Sequence, residues 1–167
     1  GDGLVGRIVD VLGNPLDGKG PVVTSGYAPV FVEAPGIVER QALDSQMVTG
    51  VAIVDSLFPM VLGQRMAILG DNKTGKTTFL RQLSTMQAQA GQIIVYVMIA
   101  KRQVDIDTLV SYFQQSGAMK NVVIVVASTF EALSWSYLAP YVGCTIAEHF
   151  WKNGKNVITI YDDLSNH

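Results

Sequence analysis

The sequence predicts an α/β fold: a largely parallel sheet with helices on both faces, entered through a β-rich lead-in. Three observations predict it. Short runs that are largely apolar, with no alternation of polar residues, recur along the chain, namely Gln64–Leu69, Gln92–Ile99, Asn121–Ala127 and Asn156–Tyr161. Strands of that kind suit a sheet buried on both sides. Between them lie segments whose apolar residues fall at helical spacing, such as Phe79, Leu80, Leu83 and Met86, or Ile106, Leu109, Val110 and Phe113. Finally, Gly and Pro are dense before residue 44 and thin out after it.

Each element follows from its residues. Residues 1–44 form the β-rich lead-in and residues 45–167 the α/β core. In the lead-in, Gly6–Leu12 reads as a strand, and Gly13-Asn14-Pro15 with Asp17-Gly18 turns the chain. Val22–Thr24 and Pro29–Val32 are further candidate strands. In the core, Thr49–Phe58 reads as a short helix stopped by Pro59. Gln64–Leu69 is a buried strand, and Lys76–Ala90 and Asp105–Gln115 are helices. Phe130–Trp151 is mostly helical, with an interruption near Pro140. Right-handed crossovers would put the strand C-terminal ends along one edge, where such sheets bind ligands. Gly70, Lys101 and Asp162 are each expected there, directly after a strand.

Composition narrows the function. The chain has 167 residues, 49% hydrophobic, with 16% charged and a net charge of −2. That charge share is below the usual quarter or so, which suits a surface covered by neighbouring subunits. Its 12 basic residues are scattered, so no nucleic-acid footprint is visible. No apolar run approaches the roughly 20 residues of a membrane span. Gly1-Asp2-Gly3 carries neither a secretory pattern nor an initiator Met, as expected of a piece of a longer chain. Cys144, the single cysteine, has no partner for an internal disulfide and reads as a small buried side chain on a helix. His149, beside Phe150 and Trp151, reads as packing or interface.

Gly70-Asp71-Asn72-Lys73-Thr74-Gly75-Lys76-Thr77 fits G-x-x-x-x-G-K-[ST] in full. Gly70 and Gly75 permit positive φ and close backbone approach, so that successive N–H groups form an anion nest. The helix that opens near Gly75 adds its free N–H groups and positive dipole end. Lys76 is a point charge for the β- and γ-phosphates, and the Thr77 hydroxyl is a ligand for Mg²⁺. Thr78 belongs to the same set, and Lys73 is a second phosphate contact or a solvated loop lysine. Downstream, Val157–Asp162 is an apolar strand ending in an acid, the Walker-B arrangement in which Asp162 holds Mg²⁺ through its water shell. Asp163 instead caps the turn that follows, near Ser165.

Several segments together resemble one family. Gly6–Gly18, Ala34-Pro35-Gly36-Ile37, Thr49-Gly50, Val54–Leu57 and Gly63-Gln64-Arg65 resemble the nucleotide-binding domain of F-type ATP synthase α subunits. So do the phosphate loop, Tyr137–Tyr141, Gly143-Cys144, Glu148 and Tyr161–Ser165, in order across essentially the whole chain. The catalytic sister, β, usually carries Gly-Gly-Ala-Gly-Val-Gly-Lys-Thr and a Gly-Glu-Arg motif, and neither occurs here. The resemblance implies a RecA-like P-loop NTPase fold, bound ATP or ADP with Mg²⁺, and a hetero-hexameric ring with β subunits around a shaft subunit γ, steadied by a peripheral stalk. It implies rotary, proton-driven ATP synthesis or ATP-driven pumping by the complex. It places that complex peripherally on the cytoplasmic face of a bacterial plasma membrane, or on the matrix or stromal face of an organelle. A β-barrel crown would precede Gly1; a helical domain and the arginine reaching the β site would follow His167.

One departure bears on chemistry. Where β has a glutamate that polarises water, α subunits typically have glutamine, within Ile-Gly-Gln-Lys-Arg. Here the segment is Ile99-Ala100-Lys101-Arg102-Gln103, which puts Lys101 at that spot; a slip would bring Arg102 or Gln103 there. A charged ammonium accepts no proton. Lys101 then either meets a γ-phosphate or points to solvent, and no catalytic base is identified. Asp105, Asp107 and Glu131 are the remaining acids for that role, although capping suits Asp105 and Asp107 better. Asn72 and Lys73 also replace the usual Arg-Gln. The expected role is a non-catalytic Mg-ATP site that supports neighbouring β sites. The competing readings are a catalytic ring motor of secretion, gliding or helicase type, and a structural ring subunit with a vestigial loop.

Overall fold

The computed structural model describes residues 1–24 and 26–167. A four-stranded sheet, parallel throughout, forms its centre. Its strands are β1 (Ile8–Asp10), β4 (Ile93–Lys101), β5 (Val122–Ser128) and β6 (Val157–Asp162), in the spatial order β1-β5-β4-β6. A small antiparallel pair, β2 (Gln46–Met47) and β3 (Met60–Val61), stands apart. The helices are α1 (Ala52–Leu57), α2 (Lys76–Gln89), α3 (Gln103–Gln115) and α4 (Leu133–Lys152).

Alternate residues of β4 face opposite ways, and both faces are dry. Ile93, Val95, Val97 and Ile99 join Val123, Val125 and Ala127 of β5 beneath Ala139, Ala147 and Phe150 of α4. Ile94, Tyr96 and Met98 join Ile124, Val126 and Ile160 beneath Ala88 of α2 and Ile106, Leu109 and Phe113 of α3. Three of the four apolar runs of the sequence are thus strands packed between helices, as expected. Gly143 lets α4 lie close to the sheet, because a Cβ there would run into the Val97 side chain.

The lead-in contributes β1, held at its start by a part-buried ion pair. Asp17 accepts from Arg7 Nε at 2.6 Å, Arg7 Nη2 at 3.0 Å and the Ile8 amide at 3.3 Å. Val22–Thr24 and Pro29–Val32 form no ladder, in contrast to the expectation. Three and four residues flanked by Gly and Pro give too few ladder bonds to hold a strand without an apolar face to bury.

Gln64–Leu69 also departs from expectation. It belongs to no strand, and Leu69 is 90% exposed. An apolar run signals a preference for burial but supplies no partner for its N–H and C=O groups. Among the described residues β6 is an edge strand, bonded to β4 alone. Helix α4 runs unbroken through Pro140, where an interruption was expected. The missing N–H costs one helical bond, outweighed by the burial of Ala139, Gly143, Ala147 and Phe150. Cys144 proves exposed on α4, one position beyond the face that Gly143 presses on the sheet.

Thr49 and Gly50 lie ahead of α1 rather than within it. Asp55 accepts from the Thr49 amide and hydroxyl and from the Gly50 amide, which fixes the entry to that helix. Gln82 and Gln87 of α2 donate to the carbonyls of Gly50 and Val48, tying the same segment to the helix.

Candidate functional site

The phosphate loop runs from Gly70 into α2. Gly75 is its hinge: φ is +94° at the N-cap of α2, a conformation open to glycine at little cost. Gly70 has a different role from the one expected. Its φ is not positive; a Cβ on it would stand 2.8 Å from Thr74 Oγ1, so glycine is needed for space. Lys73 takes the left-handed conformation, φ +64°, at the tip. Thr74 Oγ1 donates to the Asp71 carbonyl at 2.8 Å. Lys76 folds back across the loop, its ammonium donating to the carbonyls of Gly70 at 2.5 Å and Asp71 at 2.7 Å. Asp71, Asn72, Lys73, Thr74 and Thr78 are all exposed.

Since no strand leads into the loop, α2 is what brings it to the sheet. Thr77 Oγ1 donates to Asp162 Oδ2 at 3.3 Å. Asp162 is the last residue of β6, with its side chain 6% exposed. The two predicted motifs therefore meet, as the sequence required. Asp163 accepts from the Ser165 amide at 3.2 Å, the turn cap expected of it.

Lys101 does not point to solvent, one of the two places foreseen for it. Its ammonium lies 2.8 Å from Asp162 Oδ1 and 3.3 Å from Asp163 Oδ2, with the side chain 18% exposed. A backbone irregularity aims it there. The β4–β5 register shifts between Ile99 and Lys101, and Ala100 has φ +50°. Such a bulge re-aims the next side chain along the sheet edge. Burial works against the ammonium, but hydrogen bonding and charge from Asp162, then Asp163, outweigh it and hold the pKa above the ordinary lysine value.

Tyr96 is a site residue that sequence reasoning missed. Its hydroxyl donates to Asp162 Oδ2 at 2.9 Å from within the core. Burial first, then the Asp162 charge and hydrogen bond, push its pKa well above the usual tyrosine value. The signal was present: one polar-tipped aromatic in an otherwise aliphatic strand must find a partner for its O–H. Asp105, Asp107 and Glu131 have local partners instead. Asp105 pairs with Arg102 at 3.0 Å, Asp107 accepts from Gln103 at 2.9 Å, and Glu131 accepts from the Ser128 amide at 2.7 Å.

Ala100 gives a direct test of the bulge. The segment this chain resembles carries glycine there, and a left-handed alanine costs more than a left-handed glycine. Ala100→Gly is expected to stabilise the fold by about 0.5–1 kcal/mol, read as a higher urea midpoint; a lower midpoint would show that the bulge carries no strain.

The sequence matches the nucleotide-binding domain of the ATP synthase alpha/beta family over residues 50–167. The chain belongs to that family. The match takes in the phosphate loop, Lys101 and Asp162. An ATP synthase subunit alpha from Tolumonas auensis is 45% identical over 167 residues, 100% of this chain and 33% of the relative. One from Aquifex aeolicus is 44% identical over 167 residues, again 33% of its length. A third, from Shewanella denitrificans, is 43% identical over 165 residues, 99% of this chain and 32% of the relative. The chain thus spans about a third of the length of these curated relatives. The family membership accords with the resemblance drawn from the sequence and with the α/β sheet. Among the described residues no helix is long and apolar enough to cross a membrane.

As to magnesium, Thr77 Oγ1 and an Asp162 carboxylate are oxygen donors of the kind a hard cation takes, and they are adjacent. They fit in type. Both Asp162 oxygens nevertheless already have partners among the side chains, Oδ1 with Lys101 and Oδ2 with Tyr96 and Thr77.

Proposed function

We propose that this chain is the nucleotide-binding domain of an alpha-type subunit of a rotary, proton-translocating ATP synthase, and that it holds ATP or ADP at a non-catalytic site. Residues 1–44 are its lead-in and residues 45–167 the nucleotide-holding core. The reading rests on one observation above all: a complete phosphate loop, hinged at Gly75 and opening α2, whose Thr77 touches the carboxylate at the end of β6.

In this reading the loop amides of Gly70–Thr77 and the N-terminus of α2 surround the phosphates, with Lys76 swinging from the loop carbonyls to the β- and γ-phosphates and Thr78 in the first turn. Thr77 and Asp162 are the residues that would hold magnesium, whose charge would offset that of the phosphates. Lys101, where a water-polarising group would stand, offers only N–H donors, which favours retention of nucleotide over its hydrolysis. The names of the relatives, each a subunit alpha of an ATP synthase, support a place in a multi-subunit complex. In this reading the partners are beta subunits in a ring, a gamma shaft and a peripheral stalk, and the chain would meet the membrane only through the complex. Exposed apolar side chains such as Leu69, Phe130 and Leu133 support burial against such neighbours.

The test uses the full-length chain assembled with its partners. Lys76→Ala is expected to weaken ATP retention by about 100-fold, read by nucleotide content after gel filtration, with little change in turnover by the complex. Rapid hydrolysis by the wild-type chain alone would overturn the non-catalytic assignment.

A further inference from the structure

A divalent ion in a phosphate site has two tasks. It bridges phosphate oxygens, and it offsets the charge of the carboxylate behind it. In this chain the second task already has an occupant. The Lys101 ammonium sits 2.8 Å from Asp162 Oδ1 and 3.3 Å from Asp163 Oδ2. The remaining Asp162 oxygen takes the Tyr96 hydroxyl at 2.9 Å and Thr77 at 3.3 Å. We infer that Lys101 is a built-in counter-cation for Asp162, so that this site binds nucleotide with little dependence on magnesium. The inference rests on the nucleotide-binding reading above and adds to it a cation requirement unlike that of a site with a free carboxylate.

The arrangement is specific to this lysine. The next cation, Arg102, turns away to Asp105 at 3.0 Å and is 74% exposed, so the two consecutive cations go opposite ways. The separation comes from the bulge, where the positive φ of Ala100 aims Lys101 along the edge toward β6. A magnesium ion that took Asp162 would have to displace an ammonium held by two carboxylates, or lie beside it against mutual repulsion. A phosphate arriving at Thr77 meets the same ammonium as an N–H donor, and that contact needs no metal.

Calorimetric titration of the assembled full-length protein with ATP, in excess Mg²⁺ and again in EDTA, tests this by binding alone. In the wild type the two affinities are expected to agree within about threefold, and Lys101→Gln to widen the gap to about 30-fold, mainly through loss in EDTA. Lys101→Arg keeps the charge and should keep the gap small. Should Lys101→Gln fail to fold by circular dichroism, the wild-type and Lys101→Arg ratios decide. A wild-type gap above about tenfold, or an unchanged gap in Lys101→Gln, overturns the counter-cation role while leaving nucleotide binding intact. No saturable uptake under either condition overturns the nucleotide reading itself, and this inference with it.

Discussion

Replacing Asp162 by alanine is expected to destabilise the fold by about 3 kcal/mol, the cost of taking the acceptor from the enclosed Tyr96 hydroxyl and the main partner from the half-buried Lys101 ammonium. Three donors converge on this carboxylate: the Lys101 ammonium, the Tyr96 hydroxyl and the Thr77 hydroxyl. Tyr96 is fully enclosed, so its O–H would lose its acceptor where no solvent can replace it. Lys101 would keep Asp163 at 3.3 Å, which is more exposed and less able to compensate. Urea unfolding measures the loss. Adding Lys101→Gln to the alanine variant should then cost little more, because the charge it removes has already lost its main partner. A loss below about 1 kcal/mol for Asp162→Ala would show that the cluster behaves as a solvated surface group.

A loss of stability is also expected for Asp17→Ala at neutral pH, and here the acid limb adds a second signature. Asp17 is 4% exposed and Arg7 13%. Besides the two guanidinium bonds, the carboxylate accepts the Ile8 and Lys19 amides. Arg7 chiefly, with those amides, holds its carboxyl far below the usual carboxylate range. A depressed carboxyl stabilises the native state fully above its ordinary pKa near 4, and that contribution drains away as pH falls toward the native value. The wild type should therefore lose stability below about pH 4 faster than Asp17→Ala, so that the two urea midpoints converge. A constant offset between them from neutral pH to pH 3 would count against the linkage.

Much of this was legible in the residues, and the parts that were not share a cause. The strands Ile93–Lys101, Val122–Ser128 and Val157–Asp162 were readable because their apolar runs are buried on both faces by helices whose spacing was equally plain. The loop and Asp162 were readable because a fixed spacing serves a fixed chemistry. Gln64–Leu69 was misread since a strand is a relation between two chains of amides, and hydrophobicity alone does not name the partner. The destination of Lys101 was hidden for a related reason. It depends on the shift of register after Ile99, a backbone event with no residue signature beyond an alanine in a left-handed conformation. Tyr96 was visible as a letter but not as a donor until Asp162, two residues past its strand partner Ile160, came within reach of its hydroxyl.

The alternation along β4 couples stability to chemistry more tightly than either alone suggests. Tyr96 lies between Val95 and Val97, which point to the opposite layer. Inserting or deleting one residue ahead of Val95 would invert that parity. It would carry the phenol away from Asp162 and leave an aliphatic group in its place, even if every strand still formed. The core and the carboxylate cluster are thus written in a single reading frame, and no drift in the length of this strand can alter one while sparing the other.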